Sequence, residues 1–408
     1  MSQEVRRVRE EDLPSWFECL TTAFLDRPDI AVMIPQIVPY WDLERVWGAF
    51  DGQVVGTFRT WASELTVPGG ARLPAAAVSA VTVRPTHRRR GILRAMVAAE
   101  HEAARARGEA VAMLYAAEVA IYGRFGYGPA VMGCSWTLDV RSTDFFGPPA
   151  VNVDFMPVEE ATRDLLQSVH ERYRLSRVGE IRRRPFTFGL DIGLLEFAWE
   201  SKWKGWIAVH RDAAGQPDGY VRYSADPKWE KGQPRGVIKV HDFVAINDAA
   251  YRAIWRFLAD TDLVASVTME RGSPNDQLPW LLTNSRAAEA GGLGDGMWVH
   301  LLDVPRALAT RTYERSGDLV LEIVDTERGI ASERVQLEAA PDGAQCKPTT
   351  MEPDLTIHAG ALGAAYLGGT PLRLAAIGRG FEEHRPGALA EADALFRTLD
   401  APRCTTSF

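Results

Sequence analysis

Hydrophobic and polar positions change their period along this chain, and each change marks an element. "VWGAFDGQVVGTFRTWASELTVPGG" sets Asp51-Gly52 between two apolar stretches and predicts strand, tight turn, strand. "AVSAVTV", with the β-branched run Val81-Thr82-Val83, is a further strand. In "GILRAMVAAEHEAARARG" Ile92, Leu93, Met96 and Val97 fall on one helical face, and Gly108 stands where a helix stops. "EAVAMLYAAE" returns to strand and places Ala117 and Glu118 at its end. Strand, helix, strand in that order predicts a βαβ unit and an α/β class with mixed sheets.

The pattern then resets twice. "STDFFGPPAVNV", Ser142 to Val153, reads as a linker around Gly147-Pro148-Pro149. Beyond it, "GWIAVHRDAAGQPDGYVRYSA" predicts two strands about a polar turn, and "DAAYRAIWRFLADT" an amphipathic helix. A third region opens near Met297. There "GDLVLEIVDTERGIASERVQLEA" alternates at period two, as an antiparallel hairpin does, and "DLTIHAGALGAAYLGGTPLRLAAIGRG" gives a strand and then apolar helices. The expected division is 1–145, 146–295 and 296–408, without repeats or low-complexity tracts.

Composition narrows the function classes. The net charge of the 408 residues is −8, where a duplex nucleic-acid binder carries a basic surplus. Only six of the 46 basic residues are lysine, so arginine is abundant and a given arginine need not be functional. Cys19, Cys134, Cys346 and Cys404 form no CxxC pair, which speaks against zinc and for a reduced, cytoplasmic setting. The start of the sequence has no signal-peptide core, and no apolar run reaches the ~18 residues of a membrane span. No metal, nucleic-acid or membrane partner is expected.

One stretch carries chemistry. Arg88, Arg89 and Arg90 precede Gly91 between the β-branched strand and the amphipathic helix. The first N–H groups of a helix lack intrahelical acceptors and, with the helix dipole, favour anions. Glycine lets a phosphate approach the backbone, and arginines add forked donors. Neither GxGxxG nor GxxxxGK[ST] is present. Arg88-Arg89-Arg90-Gly91-Ile92-Leu93 resembles the acetyl-CoA pyrophosphate loop of the GNAT superfamily of N-acetyltransferases. With "IYGRFGYGPA" and "AAYLGGTPLRLAA", the chain resembles, over its whole length, the Eis-type (enhanced intracellular survival) acetyltransferases.

That resemblance implies two GNAT-like domains followed by a domain like sterol carrier protein. It implies acetyl-CoA as co-substrate, aminoglycoside amines or protein lysines as acceptors, and a homohexamer. Cofactor contacts are expected from Val81, Thr82, Val83, Arg88, Arg89, Arg90, Gly91, Ile92, Leu93, Arg94, Ala117 and Glu118. Tyr122 matches the family's general acid, with Tyr127 the competitor, packed in its turn. The last-residue carboxylate, here that of Phe408, matches the base. Phe24, Asp26, Asp295 and Ser407 are expected at the acceptor, Ser407 where some members carry an acid, and Ala80 where some carry an aromatic. A second triple, Arg182-Arg183-Arg184, runs into Pro185, which has no N–H for a phosphate, so only the first domain is expected to bind CoA. The competing readings are a lipid- or sterol-binding carrier and an inactive GNAT scaffold.

Overall fold

The computed structural model describes residues 4–147, 152–325 and 330–408, which build three main sheets. The first has seven strands in the order Glu4–Arg7, Val46–Phe50, Val54–Thr66, Arg72–Val83, Val111–Tyr115, Met297–Leu301 and Gly128–Pro129. The second runs Ala288–Asp295, Met132–Asp139, Val264–Gly272, Gly236–Ala245, Pro217–Asp226, Trp206–Arg211 and Val153–Phe155. The third has five strands, Gly343–Pro348, Ile330–Ala340, Gly317–Asp325, Leu355–His358 and Phe381–Glu383. The architecture is mixed α/β, with helices packed on three sheets that hold both parallel and antiparallel pairs.

Most expected elements form where the periodicity puts them. Helix Ile92–Ala106 ends at Arg107, and Gly108 follows with φ +78°, the left-handed conformation that glycine adopts without strain. The strand expected over "EAVAMLYAAE" is shorter: it ends at Tyr115, so Ala117 and Glu118 lie in an exposed bend beyond it. Of the expected linker, residues 148–151 lie outside the described residues, as does the tip of the third-region hairpin, 326–329.

The sheets do not change at residues 145 and 295. Met132–Asp139 already belongs to the second sheet, between Val264–Gly272 and Ala288–Asp295. Met297–Leu301 returns to the first, pairing antiparallel with Val111–Tyr115 over five residues. The two sheets thus trade neighbouring strands. Alternation of apolar and polar positions tells which face of a strand is buried but not which strand lies beside it, so the exchange leaves no mark in the pattern.

Opposite faces of the first sheet have different cover. Helix Ile92–Ala106 packs on one, so closely that a Cβ on Gly56 would lie 2.9 Å from the Ile92 side chain. The other face shares a single apolar core with the third region, from Trp61, Leu73 and Val111 to Leu319, Leu337 and Tyr366. The tyrosine of "YLGG" is part of this core: Tyr366 is fully buried and its hydroxyl donates to the Ala307 carbonyl at 2.8 Å.

The C-terminal segment runs back to the first and second sheets. The Arg403 N–H donates to the Val178 carbonyl (2.9 Å). Buried Glu180 accepts from the Thr405 N–H (2.7 Å) and from the hydroxyls of Thr405 (2.8 Å) and Thr406 (2.7 Å). Arg183, clamped to Asp242, donates to the same two hydroxyls at 2.8 Å each. Burial alone would push the Glu180 carboxyl up, but hydrogen bonding and charge from His170 and Arg183, with the Thr405 N–H, hold it well below the carboxylate range.

Two glycines open the path for this segment. A Cβ on Gly179, which has φ +89°, would lie 3.2 Å from Arg403 backbone atoms, and one on Gly369 would lie 2.5 Å from the Pro402 ring. Overpacking of this kind typically costs about 1–3 kcal/mol. Gly369→Ala is therefore expected to lift the segment. Carboxypeptidase should release Phe408 several-fold faster than from the parent chain, and equal release rates would show that Pro402 yields without undocking.

Candidate active site

The arginine loop has the geometry of an anion cradle. Arg89 and Gly91 both take left-handed backbone conformations, φ +63° and +78°, which turn the chain sharply into the helix. The first intrahelical bond is Ala95 N–H to Gly91 carbonyl (3.0 Å), and no side chain caps the helix, so the preceding N–H groups stay open. A Cβ on Gly91 would meet nothing within 4 Å, so the space before the helix is free. Arg88, Arg89 and Arg90 are exposed, and no carboxylate of the described residues pairs with them. Arg94 is exposed as well, while Ile92 is buried and Leu93 half-buried against the sheet.

Beside the loop, two parallel strands part. Arg72–Val83 pairs with Val111–Tyr115 only from Ala75 to Ala77, then continues alone to Val83. Backbone groups of Val81, Thr82 and Val83 on that side are left without a strand partner. Opposite, the register with Val54–Thr66 slips between Thr57 and Arg59, a bulge centred on Ala80, whose φ is +53°. The Thr57 hydroxyl ties the bulge by donating to the Ala80 carbonyl at 2.8 Å and lies 2.7 Å from the Thr82 hydroxyl.

The two tyrosines separate cleanly. Tyr127 is buried, and its hydroxyl lies 2.8 Å from His101 Nε2. Tyr122 ends the single turn Val119–Tyr122, is half-buried, and its hydroxyl has no hydrogen-bond partner among the described residues. Burial, with the nearby Glu118 charge, pushes the Tyr122 hydroxyl up to about 12. Its ring packs with the cluster under helix Ile92–Ala106.

Phe408 approaches from the opposite face. Its ring stands edge-on to Trp61 (5.3 Å) and Tyr115 (5.2 Å), and the Tyr115 hydroxyl donates to the Thr406 carbonyl at 2.7 Å. Phe408 is half-buried and Ser407 exposed. Trp61 is in register with Ala77, the last residue before the strands part. Phe408 thus packs on the face shared with the third region, and Tyr122 with the cluster on the helix-covered face.

The acidic candidates are less engaged. Phe24 and Asp26 are exposed just after helix Leu13–Ala23. Asp295, expected in a loop, instead ends strand Ala288–Asp295 opposite Met132 and accepts from the Trp298 indole N–H at 2.6 Å. Trp298 packs with the cluster under the helix, so Asp295 stands apart from Trp61 and Phe408.

Other residues here were not expected from the sequence. Glu180, Arg183 and Asp242 hold the C-terminal segment, Arg184 lies over the tryptophan that Phe408 abuts, and Arg59 lies near Arg184. The "RRR" before Pro185 was the one visible clue, and its arginines serve this packing: Arg183 is buried, and Arg184 stacks on Trp61 at 4.8 Å. Among the described residues no group of three or more His, Cys, Asp or Glu could hold a metal ion, and no helix is long and apolar enough to cross a membrane.

Comparison with known proteins agrees with this geometry. Residues 4–130 and 195–310 each match an acetyltransferase (GNAT) domain model, and 304–405 a sterol carrier protein domain model. An uncharacterized N-acetyltransferase of Streptomyces avermitilis is 39% identical over 99% of this chain and 98% of its own length. N-acetyltransferase Eis of Mycobacterium tuberculosis is 33% identical over 96% of this chain and 92% of its own length. The crystal structure of Eis1 from Mycobacterium abscessus superposes with a TM-score of 0.85 at 32% identity, covering 99% of this chain and 100% of that one. With an open anion cradle, parted strands and full-length kinship of this order, the chain belongs to the Eis family of GNAT N-acetyltransferases.

Proposed function

We propose that this acetyltransferase moves the acetyl group of acetyl-CoA to a primary amine, with aminoglycosides and protein lysines the acceptors to test first. The observation that carries the reading is the uncapped, unfilled helix start at Gly91 beside the parted strands. Gly91 to Arg94 would hold the pyrophosphate with their N–H groups, and Arg88, Arg89 and Arg90 would neutralise it. Open backbone groups of Val81, Thr82 and Val83 would orient the thioester arm, with Ala117 and Glu118 across the gap. The second domain offers no equivalent: the Asn247 side chain caps helix Asp248–Ala259, and Asp248 adds an acid there. A cytoplasmic homohexamer remains part of the proposal, resting on the family resemblance and open to sedimentation analysis.

The chemistry breaks a C–S bond and forms a C–N bond. Tyr122 would donate toward the departing sulfur. A thiol near 8.5 is a stronger acid than a phenol at about 12, so complete transfer costs about 5 kcal/mol. The hydroxyl therefore acts mainly as a hydrogen-bond donor that stabilises sulfur as charge develops. The Phe408 carboxylate, an intrinsically weak base, would orient the amine and pass its proton to water. Packing of the third region into the core of the first sheet counts against a lipid carrier, and the intact loop and free Tyr122 hydroxyl against an inactive scaffold.

Purified protein incubated with acetyl-CoA and a panel of amines should release free thiol and gain an acetylated product by mass. Arg89→Glu should weaken CoA binding ~10–100-fold by calorimetry, with one site per chain before the change; an unaltered Kd would remove the loop from the site. Tyr122→Phe should lower kcat ~10²-fold or more while leaving acetyl-CoA affinity nearly unchanged, whereas full activity would exclude the tyrosine. One residue added after Phe408 shifts the carboxylate by about 3.5 Å, enough to cost ~10²-fold. A C-terminally tagged protein that matched an N-terminally tagged one would take Phe408 out of the mechanism.

A further inference from the structure

Among the described residues, buried arginines are paired. Arg183 is held by Asp242, Arg174 by Glu64 and Glu171, Arg45 by Glu109, and Arg403 lies 3.7 Å from Asp276. Arg311 instead donates to two backbone carbonyls. Burial demands this, because an unpaired charge away from water is costly.

Arg59 and Arg184, both half-buried, depart from the rule. Neither has a carboxylate or a hydrogen-bond acceptor among the described residues, and Arg59 Nε is buried without a partner. Each lies over aromatic rings instead: Arg59 over Trp41 at 4.3 Å, Arg184 over Trp61 at 4.8 Å and Phe186 at 4.6 Å. Burial lowers Arg59 to about 9, helped by repulsion from Arg184, and lowers Arg184 to about 10. Both remain cations at neutral pH, and they repel each other.

Their place in the fold is informative. Arg59 is two residues before Trp61 in Val54–Thr66, so both project from one face of that strand. Trp61 is the ring that Phe408 abuts. Arg184 reaches the same tryptophan from the second domain. The pair therefore lies beside the end of the C-terminal segment, on the acceptor side of the parted strands. Two forked donors on aromatic platforms, with no carboxylate of the described residues in ion-pair contact, suit a planar oxyanion.

We infer that the acceptor carries an oxyanionic group, a carboxylate or its like, besides the amine it presents, and that Arg59 and Arg184 bind that group. This rests on the proposed acetyl transfer to amines and narrows it. A polycationic acceptor would place its charges against two unpaired arginines, whereas an amino acid-like acceptor would neutralise them.

The test uses ω-amino acids with two to six methylenes, their primary amides, and diamines of matching length. The parent protein should favour acid over amide at the best length by ~10–100-fold in kcat/KM, the range of a charge-assisted contact. In Arg59→Gln and Arg184→Gln that ratio should fall toward one, and diamine turnover should rise as repulsion is removed. Thermal unfolding of each variant reports whether it folds. Equal kcat/KM for acids and amides in the parent protein overturns the inference. So does a loss in the variants that is equal for acid and amide, the result expected if the arginines only position Phe408. If no amine is acetylated although acetyl-CoA binds, the proposed function itself fails. If amides and diamines react but acids gain nothing, only the inference fails.

Discussion

The site depends on one buried contact, the hold of Glu180 and Arg183 on the C-terminal threonines. Thr405 and Thr406 offer two hydroxyls and a backbone N–H, and the two charged side chains between them engage all three. Glu180 is fully buried and keeps its charge because Arg183, His170 and the threonines surround it. Removing one partner would strand another charge in the interior, a loss larger than the net worth of the pair. Here a polar network sets position: it delivers Phe408 to Trp61 at the mouth of the parted strands.

In the proposed reaction the parted strands would let two candidate groups packed on opposite faces of one sheet, Tyr122 and Phe408, reach a common substrate. In a regular sheet the faces are insulated from each other by the backbone ladder. Beyond Ala77 the ladder between Arg72–Val83 and its parallel neighbour ends, and the bulge at Ala80 turns the first strand away. Strain at a left-handed alanine costs of order 1 kcal/mol and accompanies the end of that pairing.

The local parts of this arrangement were legible in the sequence. Period and turn chemistry placed the strands around Asp51-Gly52 and the helix ending at Gly108, and the spacing of Arg88 to Gly91 set the cradle between strand and helix. Tyr122 is preferred to Tyr127 on the family resemblance, with the aromatic-glycine run around Tyr127 suggesting packing in a turn. What stayed hidden was long-range. Nothing in "MGCSWTLD" says that it joins the second sheet, and nothing in "RRRP" says that Arg183 meets residues more than two hundred positions away. Asp295 misled because "GLGDGMW" has loop composition, yet its glycines end an edge strand. Arg59 was invisible because an arginine on a strand reads as solvent-facing until both its covers are known, and Arg184, just before helix Pro185–Asp191, showed only as part of the arginine triple.

The strand exchange also bears on how the chain is made. Met297–Leu301 lies between Val111–Tyr115 and Gly128–Pro129 in the first sheet. When residue 131 leaves the ribosome, that place is empty and the edge of Val111–Tyr115 is bare. At typical synthesis rates the roughly 170 residues up to Leu301 take on the order of ten to thirty seconds to appear. Throughout that interval the nascent first domain exposes an apolar strand edge able to pair with any neighbour. The second domain closes during the same wait, around Met132–Asp139. The order of assembly is therefore inverted relative to the order of synthesis: the domain begun first is finished after the one begun second.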